Sequence, residues 1–531
     1  MDELLKTFGA MYPASIIAVL ILMAIYYKRT YNQVNKSLLP LLIFLSLLVY
    51  FISFFGNYEL QFFMLAWFLR DFLIFIFSIA IWKLFLRFPR SVFIGIIILI
   101  IGAGFLYFKN GSISFSKLPA KEFTSNKEAE LIFELKDKKY LGKVDTLLLK
   151  YKPQIIQAFP HVCDTASTTL DNCYTIDVTD TGFVSNITEL LNKSGLTEWV
   201  EMNETYSLSP IEKTQNDSIK TKTYQTKTTN DTHLSKIWGF NFMDLDNLLS
   251  FLKKVKPVKK ARIFILDTGV DGKHEDLASN YISLSEKYDK DTQQHGTHCA
   301  GIASAVSNNF KGIASLNLTG QLTSVTSITV LPGGSGTQES IIDGIILASD
   351  NGADVISMSL GGLSTDSRQK AYEKAIQYAK DKGAIIVVAA GNENTNAKAT
   401  VPASCKGVIC VSAVNDSLQK ASFSNYVTDI DFKIAAPGVN IYSTIPMDQY
   451  KAMNGTSMAA PYVSALVGIM KSIEPELNTE DIYRMLVTTG IETKNTNLTG
   501  KFIQPLKAVS EIKSLSFRTK VTIFINKLQK F

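Results

Sequence analysis

The chain has 531 residues, enough for three or four domains at about 150 residues each. Hydrophobic residues make up 46% and charged residues 19%, and the mean hydropathy is +0.12, too apolar for disorder or for an ordinary cytosolic enzyme. The net charge of +6 is uneven: residues 1–110 hold nine Lys/Arg against four Asp/Glu, while the other 421 hold 45 against 44, which argues against a basic nucleic-acid-binding face.

Four apolar stretches, 8–27, 38–56, 61–82 and 91–108, match the ~20 residues a helix needs to cross a hydrocarbon core. Residues 1–110 are therefore expected to form a multi-pass transmembrane region in contact with the lipid bilayer. The first stretch is preceded by Asp2 and Glu3 and lacks a small-residue cleavage site, unlike a removable signal peptide. Loop 28–37 carries Lys28, Arg29 and Lys36, loop 83–90 carries Lys83, Arg87 and Arg90, and loop 57–60 carries only Glu59. Basic short loops stay inside, so both termini and the bulk of the chain are expected outside the cytoplasm. Arg70 and Asp71 interrupt the third stretch. Adjacent residues diverge on a helix, so each needs its own partner, and a packing role and a sensing or transport role both stay open.

A polar linker spans 111–127. Residues 128–209 then read as strand 130–135, helix 140–151, strand 154–162, strand 173–178, helix 183–194 and strand 197–202, the βαββαβ order of a ferredoxin-like domain. Cys163 and Cys173 are spaced for a disulfide, as are Cys405 and Cys410, and an oxidising compartment would preserve either. The segment 210–236, rich in Lys and Thr, is an exposed linker open to cleavage.

From 261 onward the pattern alternates. Apolar runs at 262–266, 325–331, 354–359 and 384–390 read as buried parallel strands, with helices at 296–306, 338–350 and 367–382 between them. This is an open α/β domain, whose sites gather at the carboxyl ends of strands. Asp267 ends the first run, His295 stands at the mouth of a helix of small residues, and Ser457 follows Gly455-Thr456 at another helix start. Singly, each has an ordinary explanation as a turn or cap residue. His295 and His298 lack the i, i+4 pair with intervening Glu of a zinc protease, so no metal site is expected.

Together, in the order Asp, His, Ser, these segments resemble the subtilisin-like serine proteases, or subtilases. The resemblance covers about 237–515 and rests on Asp267-Thr-Gly-Val-Asp271, His295-Gly-Thr-His-Cys-Ala-Gly301, Ser357-Met-Ser-Leu-Gly-Gly362, Ala389-Ala-Gly-Asn392 and Gly455-Thr-Ser-Met-Ala-Ala-Pro461. It implies a parallel α/β sheet with helices on both faces and a serine endopeptidase acting on peptide bonds through an acyl-enzyme. Ser457 would be the nucleophile, His295 the general base, Asp267 its orienting carboxylate and Asn392 the oxyanion donor. Gly333 and Gly334 on one loop, and Ser359, Leu360, Gly361 and Gly362 on another, would bind an extended peptide by strand addition. Ala389, Ala390 and Gly391, with 400–403, would shape an uncharged specificity pocket.

The resemblance also implies that 128–209 is a propeptide acting as an intramolecular inhibitor, with self-cleavage within 203–236. No cofactor is needed for catalysis. Structural calcium, common in the family, finds no support in loop 306–312, which is short and lacks clustered carboxylates. The tail 516–531 is basic and interleaved with apolar residues, suited either to an anionic membrane surface or to solvent. Two other readings remain: a membrane signalling or transport protein switched by its protease domain, and an inactive subtilase used as a binding module.

Overall fold

The computed structural model describes residues 129–162, 168–208, 224, 228–363 and 369–512. The four apolar stretches, Arg70, Asp71, Cys163 and the tail 516–531 lie outside the described residues, as does most of 209–227. Among the described residues, no helix is long and apolar enough to cross a membrane.

The first elements are β1 (Leu131–Leu135), α1 (Leu141–Leu148), β2 (Gln154–Gln157), β3 (Cys173–Asp177), α2 (Val184–Ser194), β4 (Thr197–Met202) and the short β5 (Thr205–Ser207). Strands β1 to β4 form an antiparallel sheet in the order β2-β3-β1-β4. Strand side chains alternate between faces, and the two faces have different fates here. Leu131, Phe133 and Leu135 pack on Val144 and Leu148 of α1 and Ile187 and Leu191 of α2. Ile132 and Cys173 point the other way and join Phe159 against the larger α/β layer. The strand expected over 154–162 stops at Gln157. Pro160 has no N–H to continue a ladder, and Phe159 is instead turned inward and fully buried.

The sequence continues through α3 (Leu245–Leu252), β6 (Ala261–Asp267), α4 (His295–Ser304), β7 (Thr323–Thr329), β8 (Ser335–Thr337) and α5 (Gln338–Asp350). Next come β9 (Val355–Met358), β10 (Gly362–Leu363), α6 (Lys370–Asp381), β11 (Ile385–Ala389), β12 (Thr400–Val401), β13 (Val408–Val414) and β14 (Lys433–Pro437). The hairpin β15 (Ile441–Ile445) and β16 (Gln449–Met453) precedes α7 (Thr456–Ile473), α8 (Thr479–Thr489) and α9 (Thr496–Thr499).

Six parallel strands form one sheet in the order β14-β13-β11-β9-β6-β7. Both faces are covered, which is why the strands are apolar throughout rather than alternating. Ile263 and Ile265 pack beneath α4 and α7, whereas Phe264 and Leu266 pack on the side of α5 and α6. The strand order turns at β6, with β7 on one side and β9 on the other. Such a switch point opens a crevice at the carboxyl ends, and Asp267 stands at that end of β6.

Cys173, Cys405 and Cys410 are buried free thiols, so the disulfides that spacing allowed are not formed by these residues. They serve as small apolar side chains on sheet strands and at their margins: Cys173 and Cys410 lie in β3 and β13 and Cys405 just before β13, all three in one core.

Candidate active site

Asp267 is completely buried, and its two oxygens lie 2.8 and 3.0 Å from His295 Nδ1. A carboxylate can only accept, so Nδ1 carries the proton and Nε2 is left as a lone-pair base. Burial alone would make the imidazole harder to protonate, but the adjacent Asp267 charge and its hydrogen bond outweigh this and hold the pKa above its usual value. His295 is the first residue of α4, whose glycine at the second position lets β6 approach closely. A Cβ on Gly296 would lie 2.1 Å from the Gly269 carbonyl.

Ser457 stands in the first turn of α7, after Gly455 at φ 151°, a backbone angle that L side chains rarely adopt. Its Oγ donates to the Ser359 carbonyl at 3.2 Å. Pro461 has no N–H to donate back to the Ser457 carbonyl one turn earlier. That carbonyl accepts instead from Ser359 Oγ at 2.8 Å and Cys299 Sγ at 3.4 Å, pinning the helix mouth from two directions. Asn392 Oδ1 accepts from the backbone N–H and the hydroxyl of Thr456, both at 2.9 Å. The amide is thereby oriented with Nδ2 as its donor end.

His295, Ser457, Asn392, Ser359, Leu360, Gly361, Ala389 and Gly391 line one cleft. Ala390 lies beneath it, its carbonyl accepting from Asn425 Nδ2 at 3.0 Å. Gly333 and Gly334 sit on the turn entering β8. Glu393 also lines the cleft, a carboxylate outside the segments 389–391 and 400–403 expected to shape the specificity pocket.

Ser207 and Leu208, from the first domain, line the same cleft. Strand β5 pairs antiparallel with β8, matching Thr205 to Thr337, Tyr206 to Gly336 and Ser207 to Ser335, and Leu208 N donates to the Gly334 carbonyl at 2.9 Å. The Tyr206 ring is buried against Tyr372 and over Gly362, where a Cβ would come within 2.6 Å of it. Just upstream, Glu201 Oε1 accepts from Lys370 N at the start of α6, and Asn203 Oδ1 accepts from Glu339 N at the start of α5. Two helix N-termini are thus capped from the neighbouring domain, where acceptors meet unpaired N–H groups and a favourable dipole. No spacing rule in the sequence signals these pairs.

Asp231 and Asp276 are both buried and converge on loop 306–313. Asp231 accepts from the N–H groups of Asn308 and Asn309, and Asp276 from Ile313 N and Asn309 Nδ2. Burial, with Asp231 nearby, pushes the Asp276 carboxyl up to about 6. Two buried carboxylates that meet at one loop are hard oxygen donors of the kind calcium takes. The expectation that the loop lacks carboxylates holds for the loop itself; the acids arrive from two other segments. Asp267, His295 and Cys299 also bring ligand atoms within 4.8 Å of one another. Burial pushes the Cys299 thiol pKa well up, and Nδ1 is committed to Asp267, so this group reads as a hydrogen-bonded pair beside a neutral thiol.

Residues 259–505 match the model of the subtilase family. The chain is 42% identical to thermitase of Thermoactinomyces vulgaris over 218 residues, covering 40% of this chain and 75% of thermitase. It is 36% identical to a thermophilic serine proteinase of Bacillus sp. strain AK1, over 56% of this chain and 68% of that protein. It is 34% identical to subtilisin DY of Bacillus licheniformis, over 47% of this chain and 90% of that one.

Proposed function

The chain belongs to the subtilase family and is a serine endopeptidase, and from that premise we propose that Asp267, His295 and Ser457 carry the reaction in a membrane-anchored, self-processing zymogen. The observation that carries the catalytic assignment is the Asp267–His295 pair opening onto the cleft that Ser457 also lines. His295 Nε2 takes the Ser457 proton as Oγ attacks the peptide carbonyl, then gives it to the leaving amine as the acyl-enzyme forms. Water repeats the sequence to release the acid. The imidazolium formed in between is stabilised by Asp267, and Asn392 Nδ2 donates to the tetrahedral oxyanion. Calcium, bound through Asp231 and Asp276, would neutralise two buried charges and brace loop 306–313 away from the chemistry.

Latency is supported by the segment Thr205–Leu208, which adds a strand to β8 and brings Ser207 and Leu208 into the cleft in the way a peptide substrate would. Ser207 and Leu208 line the cleft, and Tyr224 is buried in the core with Trp238 and Phe240. The processing bond therefore belongs between 208 and 224, inside the 203–236 window. Membrane anchorage, with the catalytic domain outside the cytoplasm, rests on the four apolar stretches and their basic loops.

The test is expression of wild type and Ser457→Ala in membranes with a C-terminal tag. Wild type should yield a tagged fragment of about 34–36 kDa, by proportion of 58.9 kDa, and the variant should stay full length. Cleavage of both forms would remove self-processing. An uncut wild type that no fluorophosphonate labels would return the chain to the binding-module reading.

A further inference from the structure

Asp291 lies four residues before His295, is buried, and receives five hydrogen bonds. Its Oδ1 accepts from Thr268 Oγ1 at 2.9 Å and from the N–H groups of Gln293 and Gln294. Its Oδ2 accepts from Thr297 N at 2.9 Å and Thr297 Oγ1 at 2.7 Å. We propose that Asp291 is a positioning residue for the Asp267–His295 pair, clamping the backbone on either side of it and holding a second negative charge beside the imidazole.

The clamp follows from where the partners sit. Thr268 directly follows Asp267, and its own N–H donates to Asp267 Oδ1 at 2.7 Å, the oxygen that faces His295 Nδ1. Its hydroxyl, while donating to Asp291, accepts from Gly296 N at 3.0 Å, one residue past His295. Thr297, two residues past His295, is held directly. Gln294, preceding α4, is at φ 69° and supplies no side-chain cap, so Asp291 and Thr268 satisfy the first-turn N–H groups in its place. One hydrogen-bonded chain therefore runs Asp291–Thr268–Asp267–His295, fixing both ends of the reacting pair relative to each other.

Among the described residues, the charged and titratable groups around the imidazole are few. Strand β6 brings Asp267, the loop before α4 brings Asp291, α4 brings His298 and Cys299 one turn on, the cleft rim brings Glu393, and the facing turn of α7 brings the hydroxyl of Ser457. Burial works against the imidazolium, and Asp267 first and Asp291 after it favour it. Removing the Asp291 charge should make His295 easier to deprotonate.

This inference rests on His295 being the general base, and its test keeps the two readings apart. Full-length wild type, Asp291→Asn and Thr268→Val are compared in detergent, with active sites counted by a fluorophosphonate. Asp291→Asn should lower kcat by about 10–100-fold, the size found when partners that orient metal-ligating side chains are removed, with KM within about twofold. The acid limb of kcat/KM should move to lower pH. Thr268→Val, which cuts the chain and keeps the charge, should lower kcat and leave the acid limb in place; it carries the test if Asp291→Asn does not fold. Unchanged kcat and acid limb, with only a lower Tm, would reduce Asp291 to a helix cap and overturn the proposal. If wild type shows no Ser457-dependent hydrolysis, the catalytic reading fails on its own. The clamp is then read from the low-field proton of the His295–Asp267 hydrogen bond in the full chain, whose protonation midpoint must fall in Asp291→Asn for the proposal to stand.

Discussion

Asn392 shows how a short, uncharged side chain acquires a direction. With its oxygen taken by both donors of Thr456, rotation of the amide would cost two hydrogen bonds, so Nδ2 is presented to the cleft before any substrate arrives. Preorganisation of this kind is what makes one neutral donor effective against developing charge. Asn392→Ala should lower kcat by about 10²–10³-fold with little change in KM, the size found for such a donor in a subtilisin, as measured by steady-state kinetics on a peptide amide. In the proposed mechanism His295 sets the pH response. Only the neutral imidazole can accept the serine proton, and its partnership with Asp267 holds the pKa above 6.5. Activity should therefore fall as pH drops through a midpoint above 6.5; a kcat/KM profile whose acid limb lies below that value would contradict the assignment. Both residues were legible in sequence because their motifs sit at strand or helix ends. The orientation of the Asn392 amide was not, since Thr456 lies 64 residues away.

Among elements, β5 has the largest consequence for its length. Three residues join the edge of β8, and the Tyr206 ring supplies the buried apolar contact that a strand of this length otherwise lacks. Truncating a buried aromatic costs about 3 kcal/mol or more, so Tyr206→Ala should weaken docking by about a hundredfold. The uncut chain, held as such by a short preparation time, should then react correspondingly faster with a fluorophosphonate. An unchanged labelling rate would mean that the cleft is closed by something other than this strand. The helix over 338–350 was readable residue for residue, because its apolar positions repeat on one face and Thr337 caps it. The strand over 154–162 was overextended because apolar alternation persists past Gln157, whereas Pro160 and the burial of Phe159 against the α/β layer end the ladder. The caps that Glu201 and Asn203 place on α6 and α5 bridge domains, and no local pattern announces a cap supplied from 169 or 136 residues away.

At the scale of the molecule, stability is expected to depend on calcium. Asp231 and Asp276 are 45 residues apart in sequence and meet only because loop 306–313 folds back between them. At about a hundredfold excess over its Kd, a bound ion adds about 2.7 kcal/mol to the folded state. Calcium should raise Tm by several degrees and a chelator should lower it; Asp276→Asn should abolish the difference. What the sequence alone determined is what repeats or clusters locally: the apolar runs of a two-sided parallel sheet, the helices between them, and the Asp, His, Ser and Asn motifs at their ends. Periodicity and capping act over a few residues, so these features survive in one dimension. Tertiary structure alone decided which carboxylates share a loop, which helix ends borrow caps from another domain, and which strand edge receives Tyr206. Each of those contacts depends on packing that brings distant segments together, and such pairings leave no spacing to read.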